Sequence, residues 1–349
     1  MTTDQVTFTE AELLSDQPVV EPLLAGGVRC HGGFDEAGRY VSPRTLHRTP
    51  AIRAWQAQHT ATFGQPMLHA PLDTWPEHFP NEAQARLLIQ RGVPEPLIAT
   101  LTRIGTVEGF GANIRLLQPG DLQPHFVEDI RGTAIEHLGK GLFEAHGRDE
   151  AGWEEEAGHR DMWFAARDIA FEHPTAKVDI DAMLDRMGFG QGPPGGAMTT
   201  RLLPEDIDLN LEVIATLMIR VLLIEVQAFH TFAWADSWLS DRDLVAGDGA
   251  AAALVDHIRA DETPHVEYLR TALTEMRDRT WRGEGGAQHA GTGMIGTLWD
   301  HALAASLGEN RRQTRAAVLA EVEHWCHQRA DGDDVLAEFH HLASVDAAA

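Results

Sequence analysis

The chain is poor in cysteine, in tyrosine and in positive charge. Its 349 residues include 2 Cys, 2 Tyr and 28 Lys plus Arg, against 53 Asp plus Glu. Cys30 and Cys326 stand almost a whole chain apart. A disulfide framework needs more and closer pairs, so two reduced thiols in a cytoplasmic protein are expected. With a formal charge of −25 and no basic tract, the chain lacks the electrostatic footprint of a duplex nucleic-acid binder. Anionic membrane surfaces repel it for the same reason. Long apolar runs are also missing. The most apolar stretch, Leu209 to Trp238, is interrupted by Glu212, Arg220, Glu225 and His230, which excludes a lipid-facing span. It reads instead as a helix buried on nearly all sides. The opening MTTDQVTFTEAELLSDQ has no apolar h-region, so no signal peptide is expected. No Gly-rich phosphate loop sits between a strand and a helix, and no Gly-x-Ser-x-Gly is present, which removes the support for a nucleotide-binding or serine-hydrolase reading.

What is plentiful is histidine, 19 residues, together with enough apolar material (43%) for a large core. Residues 1–92 read as an irregular segment that packs on the rest. They include the turn-rich GGVRCHGGFDEAGRY, with short-hairpin character, and two short helices at 50–63 and 81–92. From Pro94 onward helical periodicity dominates. It predicts helices at about 95–117, 123–147, 151–173, 205–239 and 249–278, then two terminal ones at about 294–307 and 311–328. A short amphipathic piece, KVDIDAMLDRM, and a Gly/Pro-rich loop at 188–200 lie between the third and fourth. No β–α alternation is visible. The expected fold class is therefore all-α, a helical bundle with a central buried helix and an irregular N-terminal segment. Residues 93–280 form the bundle, and residues 281–349 add C-terminal helices to the same domain.

Ionised carboxylates are costly to bury unless paired or bound to metal, so carboxylates on apolar helix faces carry the information. Glu225 shares a stripe with Ile214, Met218, Val221, Leu222, Phe229 and Phe232. On the next helix Glu262 and His265, in Glu-x-x-His spacing, lie on the face of Leu254, Ile258, Leu269 and Leu273. Asp261 and His257 flank that face, and Pro264 is expected to bend the helix beside them. Antiparallel packing about a loop near residue 244 places Glu225 level with residue 263. A second Glu-x-x-His, Glu156 and His159, has Glu155 as an alternative carboxylate. On the helix before it, His137 and Glu144 share a face and come level with His159 and Glu156. His146, His173 and His230 read as helix-end or supporting histidines. Glu108 lies on an apolar stripe, where either a metal or an ion pair with Arg115 explains it. These spacings give a candidate metal set of His137, Glu144, Glu156, His159, Glu225, His257, Asp261, Glu262 and His265. Buried His–carboxylate hydrogen bonds without metal are the competing reading.

In these motifs the chain resembles the di-iron carboxylate helical proteins of the ferritin-like type, whose pattern is Glu, Glu-x-x-His, Glu, Glu-x-x-His on four helices. Glu156 and His159, Glu225, then Glu262 and His265 match its last three elements in order. The first-helix carboxylate stays open among Glu144, Glu128 and Glu108. The final helix is also similar to the His-x-x-x-Asp-x-x-His of haem-oxygenase-like di-iron oxidases. His257 and Asp261 match its first two positions, and His265 comes one residue late. The His-x-x-x-Glu-x-x-His of the aminoarene N-oxygenase type is missed by one residue at its first His. The resemblance covers residues 95–278.

The resemblance implies two Fe ions, or an Fe/Mn pair, with O2 as co-substrate and Glu225 and Glu262 as the bridging, catalytic carboxylates. A small organic molecule would be the substrate, with an electron donor as partner and a homodimer as a compatible state. Tyr268 is placed to help with a proton or an electron. Arg131 and Arg220 are candidates for a substrate carboxylate or for internal ion pairs. The readings set against an O2-dependent oxidase are a metal-free helical binding protein and an iron-handling ferroxidase bundle.

Overall fold

The computed structural model describes residues 6–172 and 201–345. The expected amphipathic piece at 177–187, the loop at 188–200 and His173 lie outside the described residues.

The protein is mainly helical, but it is not purely α. The N-terminal segment expected to be irregular holds a three-stranded antiparallel sheet of β1 (Glu21–Ala25), β2 (Val28–Phe34) and β3 (Tyr40–Val41), in that order. The Gly26-Gly27 turn joins the first two strands with both residues at positive φ (57° and 77°), a conformation that glycine adopts without a Cβ penalty. A short first helix, α1 (Glu10–Leu13), precedes the sheet and is closed by a capping box between Thr9 and Glu12. After the sheet come α2 (Arg48–Phe63), ended by left-handed Gly64, and α3 (Glu82–Gln90), capped by Asn81.

The bundle proper contains α4 (Glu95–Gly111), the single turn α5 (Ala134–His137), α6 (Phe143–Ala151), α7 (His159–Ala170), α8 (Leu209–Leu239) and α9 (Ala250–Arg277). Thr280–Arg282 and Gln288–Ala290 pair as a second small antiparallel sheet. The chain then runs through α10 (Gly291–Leu307), α11 (Glu309–Cys326) and α12 (Gly332–Val345). The last of these helices was not expected.

Helices α8 and α9 pack against each other along their lengths, and together they set the height of everything else. Two apolar clusters run through them. In the first, Ile214, Met218 and Leu222 of α8 pack with Tyr268, Leu269 and Ala272 of α9. In the second, Phe232, Ala235 and Trp238 of α8 pack with Leu254, Val255 and Ile258 of α9, and with Met162 and Trp163 of α7. Between these clusters both helices turn polar at one level, through Glu225 on α8 and Asp261, Glu262 and His265 on α9, all buried. Burying one Leu, Ile or Phe contributes about 1.5–3 kcal/mol. The two clusters therefore supply the folding free energy that lets a layer of charged groups stay dry between them. Helix α9 runs on through Pro264, which has no amide to donate to the preceding turn.

Two expected helices are corrected. The continuous helix at 123–147 is broken: Gly141 takes φ 122° after a widened turn at 138–142, so α5 and α6 are separate pieces. The helix expected from 151 starts only at His159, because Trp153 and Glu156 close a tight backbone turn first.

Candidate metal centre

Glu156 therefore precedes α7 instead of sharing a helical face with His159, and it pairs with Arg29 at the surface (3.1 Å). Glu144 pairs with Arg148 one turn on (2.7 Å). His137, displaced by the break at Gly141, is held by the Thr133 carbonyl (2.7 Å) and the Phe8 amide (3.1 Å). His257 stacks on Tyr40, with ring centroids 4.2 Å apart. None of these four reaches the buried polar layer. Glu128 accepts from the Thr280 amide and hydroxyl, which leaves Glu108 as the first-helix carboxylate that does reach it.

The layer itself gathers His159, Glu225, Asp261, Glu262 and His265 with groups not expected there: His146, Glu150 and His31. Ligand atoms of His146, Glu150, Glu225 and His265 all lie within 4.8 Å of one another, and so do those of Glu150, His159, Glu262 and His265. His31, His159 and Asp261 form a third such group. Glu108, on α4, faces the Glu150 carboxyl. Five helices thus converge.

Local sequence explains the convergence. His146 and Glu150 are four residues apart and share one face of α6. A turn of seven residues then reverses the chain into α7. It is pinched at Gly152 (φ 83°, ψ 169°), where a Cβ would meet the Glu156 carbonyl, and at Gly158, where a Cβ would meet the Asp149 carbonyl. The two backbones touch there, and His159 enters α7 opposite Glu150.

The contacts within the layer are short but do not satisfy hydrogen bonding. His159 Nδ1 lies 2.8 Å from Glu262 Oε1, and His146 Nε2 lies 3.3 Å from Glu225 Oε1. Even so, His146 Nε2, His159 Nδ1, Glu262 Oε1 and both Glu150 oxygens have no aligned hydrogen-bond partner. Buried polar atoms are normally paired. Buried polar atoms gathered around a common point without aligned partners are what a shared cation would satisfy. Glu262 Oε2, meanwhile, sits 2.6 Å from His265 Nδ1, so its two oxygens serve two different imidazoles.

The far sides of His265 and His146 are anchored, while that of His159 only faces a carboxylate. His265 Nε2 faces Asp149 at 2.9 Å, and Asp149 is gripped by Arg44 (Nε at 2.6 Å) and Arg48 (2.8 Å). His159 Nε2 faces Asp261 at 3.6 Å, while Asp261 accepts from Tyr40 (2.7 Å) and His31 (3.0 Å). Arg44 donates to His31 Nδ1 (3.3 Å), so the His31 proton sits on Nε2 toward Asp261. His146 Nδ1 meets the Tyr268 hydroxyl at 3.0 Å. His265 and His146 are thus held from behind by Asp149 and Tyr268, as outer partners orient metal-bound histidines.

Charge points the same way. Burial is opposed at Asp149 by Arg44 and Arg48, which hold its carboxyl well below the usual range. Burial is likewise outweighed at Asp261, held at about 2 by hydrogen bonds from His159 and His31. Glu108, Glu150, Glu225 and Glu262 have no Lys or Arg ion pair among the described residues. Burial and the neighbouring glutamates push Glu108 and Glu225 well above the carboxylate range. At His159 and His265 burial favours the neutral ring, but Glu262 outweighs it and raises both. Burial and His265 push His146 down to about 3. At Glu150 and Glu262 burial is outweighed by His159 and His265, which keep both carboxyls below the usual range.

The residues missed by sequence reasoning left a signal. His146 and Glu150 read His-x-x-x-Glu, a one-face pair, but the assumption of an unbroken helix to Gly147 left them at its frayed end. His31 and Arg44 lie in a segment taken as irregular and carried no periodic signal. Comparison with protein-family models, curated proteins and solved structures found no match for this chain.

Proposed function

We propose that the protein is an O2-dependent oxidoreductase that holds two iron ions, or one iron and one manganese, and oxidises a small organic molecule. The observation that carries this reading is the buried cluster of Glu150, Glu225 and Glu262 with His146, His159 and His265, several of whose ligand atoms have no hydrogen-bond partner. Mixed carboxylate and imidazole donors suit iron and manganese, and facing helices of a bundle are a known way to present them. His159, Glu262, Glu150 and Glu108 would hold one ion. His146, Glu225, Glu150 and His265 would hold the other. When bound, such a pair supplies the electrons that reduce O2.

The chain's own groups then have defined tasks. Glu262 would serve one position through Oε1, while its Oε2 holds His265 Nδ1. Asp149 holds His265 Nε2 turned outward, and Asp261 faces His159 Nε2. The Tyr268 hydroxyl fixes His146, and burial keeps it protonated, with Glu225 adding to the effect. Trp163 and Phe232, stacked at 5.9 Å, close the layer against water.

Elemental analysis of protein made in iron-supplemented medium, followed by O2-uptake measurements, tests the reading. About two metal ions per chain are expected, falling below about 0.2 in His159→Ala and Glu262→Ala. Metal content unaffected by either substitution would leave only a hydrogen-bonded, metal-free layer. Fe(II) oxidation with no oxidised organic product in a screen of small molecules would favour a ferroxidase.

A further inference from the structure

We propose that the cavity between α8, the 76–79 loop and the α10–α11 corner binds a small organic anion with an apolar body. Its carboxylate or phosphate head would be taken by Arg220, Arg311 and Arg315. The cavity encloses about 470 Å³, the size of a small-molecule site. Arg220 enters it from α8, while Arg311 and Arg315, one turn apart, enter from α11.

In a chain with 53 acidic and 28 basic residues, a guanidinium normally finds a carboxylate. Arg86 meets Asp241, Arg91 meets Glu338, and Arg312, the next residue after Arg311, meets Glu309. Arg220, Arg311 and Arg315 make no hydrogen bond or ion pair with any described residue. Arg315 lies over the Phe79 ring at 4.1 Å. The one carboxylate on the wall is Glu77, which is exposed and pairs with none of them. Burial and the nearby Arg315 together hold Arg311 below the ordinary guanidinium range, the mark of like charges set side by side without a counterion. Guanidinium forks match carboxylate and phosphate oxygens in geometry as well as charge.

The rest of the wall suits a carbon skeleton. Ile224 leaves 49% of its surface exposed, Phe79 and Ala302 lie across from it, and Asn310 and Thr314 add donors near the arginines. Arg220, Ile224 and Gln227 recur at i, i+4 and i+7, on one face of α8. Glu225 points from a different face into the metal layer. The anion site is therefore separate from that layer, and the inference does not rest on the proposed metal chemistry.

Calorimetric titration of the full chain with hexanoate, hexyl phosphate, hexanamide and inorganic phosphate tests it. One of the two organic anions is expected to bind at one site per chain, and the better one identifies the head group. Arg311→Gln and Arg315→Gln should each weaken binding by about tenfold or more. Arg312→Gln, on the outer face of the same helix, should leave it unchanged, and so should prior treatment with a chelator. Several results would overturn the proposal: hexanamide binding as tightly as hexanoate, inorganic phosphate binding as tightly as hexyl phosphate, full affinity in the Arg311 and Arg315 variants, or no binding by either organic anion.

Discussion

Asp149 ties the buried polar layer to the N-terminal segment. It carries Arg44 and Arg48 on one side and His265 on the other, and all four groups are buried. Removing one partner of such a set leaves the rest uncompensated. Asp149→Asn is expected to cost about 3–5 kcal/mol of stability by denaturant unfolding, and to weaken metal binding about 10–100-fold. Glu156→Ala and Glu144→Ala remove only surface pairs and should change stability by no more than about 0.5 kcal/mol. If Glu156→Ala emptied the site while Asp149→Asn did not, the assignment of the layer would be wrong. Protonation gives a second prediction at this scale. Glu108, Glu225, His159 and His265 are all shifted upward in the metal-free protein, so they hold protons that an incoming cation must displace. Metal binding should therefore release protons and strengthen as pH rises. Titration in two buffers of different ionisation enthalpy measures the number released, and proton uptake would contradict the picture.

At the scale of elements, the long helices were legible because their apolar period is unbroken over many turns. The helix predicted at 205–239 is observed at Leu209–Leu239, and that at 249–278 is observed at Ala250–Arg277. The antiparallel pairing that places Glu225 beside Glu262 and His265 followed from the length of the loop between them. The reading failed where glycines reset the backbone. Gly141 breaks the helix that would have delivered His137, and Gly152 delays the one that would have delivered Glu156. Glu-x-x-His spacing at 156–159 matches a helical motif in letters only. The three-stranded sheet was glimpsed as a hairpin, but its partners are side chains 100 residues and more away, which no local pattern encodes. The turn at Gly152 also offers a test. Gly152→Ala forces a Cβ toward the Glu156 carbonyl at a backbone conformation open to glycine alone, and should cost about 1–3 kcal/mol. Because that turn sets His159 opposite Glu150, metal content should fall together with stability. An alanine variant with full metal content would show that the pinch does not position the site.

For the molecule as a whole, the metal layer lies between two apolar clusters that each draw on distant parts of the chain. A cation that binds only the folded state stabilises it by mass action. Chelation should therefore lower the unfolding temperature, and re-addition of Fe(II) without oxygen should restore it. An unfolding temperature indifferent to chelator would argue that the layer holds no metal. No helix among the described residues is long and apolar enough to cross a membrane. Most of the net charge of −25 lies outside the layer, on the solvated exterior, where it opposes self-association. The N-terminal sheet gives this arrangement a temporal side. Tyr40, Arg44 and Arg48 leave the ribosome early, yet the carboxylates they clamp, Asp149 and Asp261, are made a hundred and more residues later. The clamp cannot close on Asp261 and His265 until nearly the whole bundle has been synthesised. A nascent or truncated chain ending before that point has no finished layer, and if the layer holds metal as proposed, metal content would be a record of completed folding.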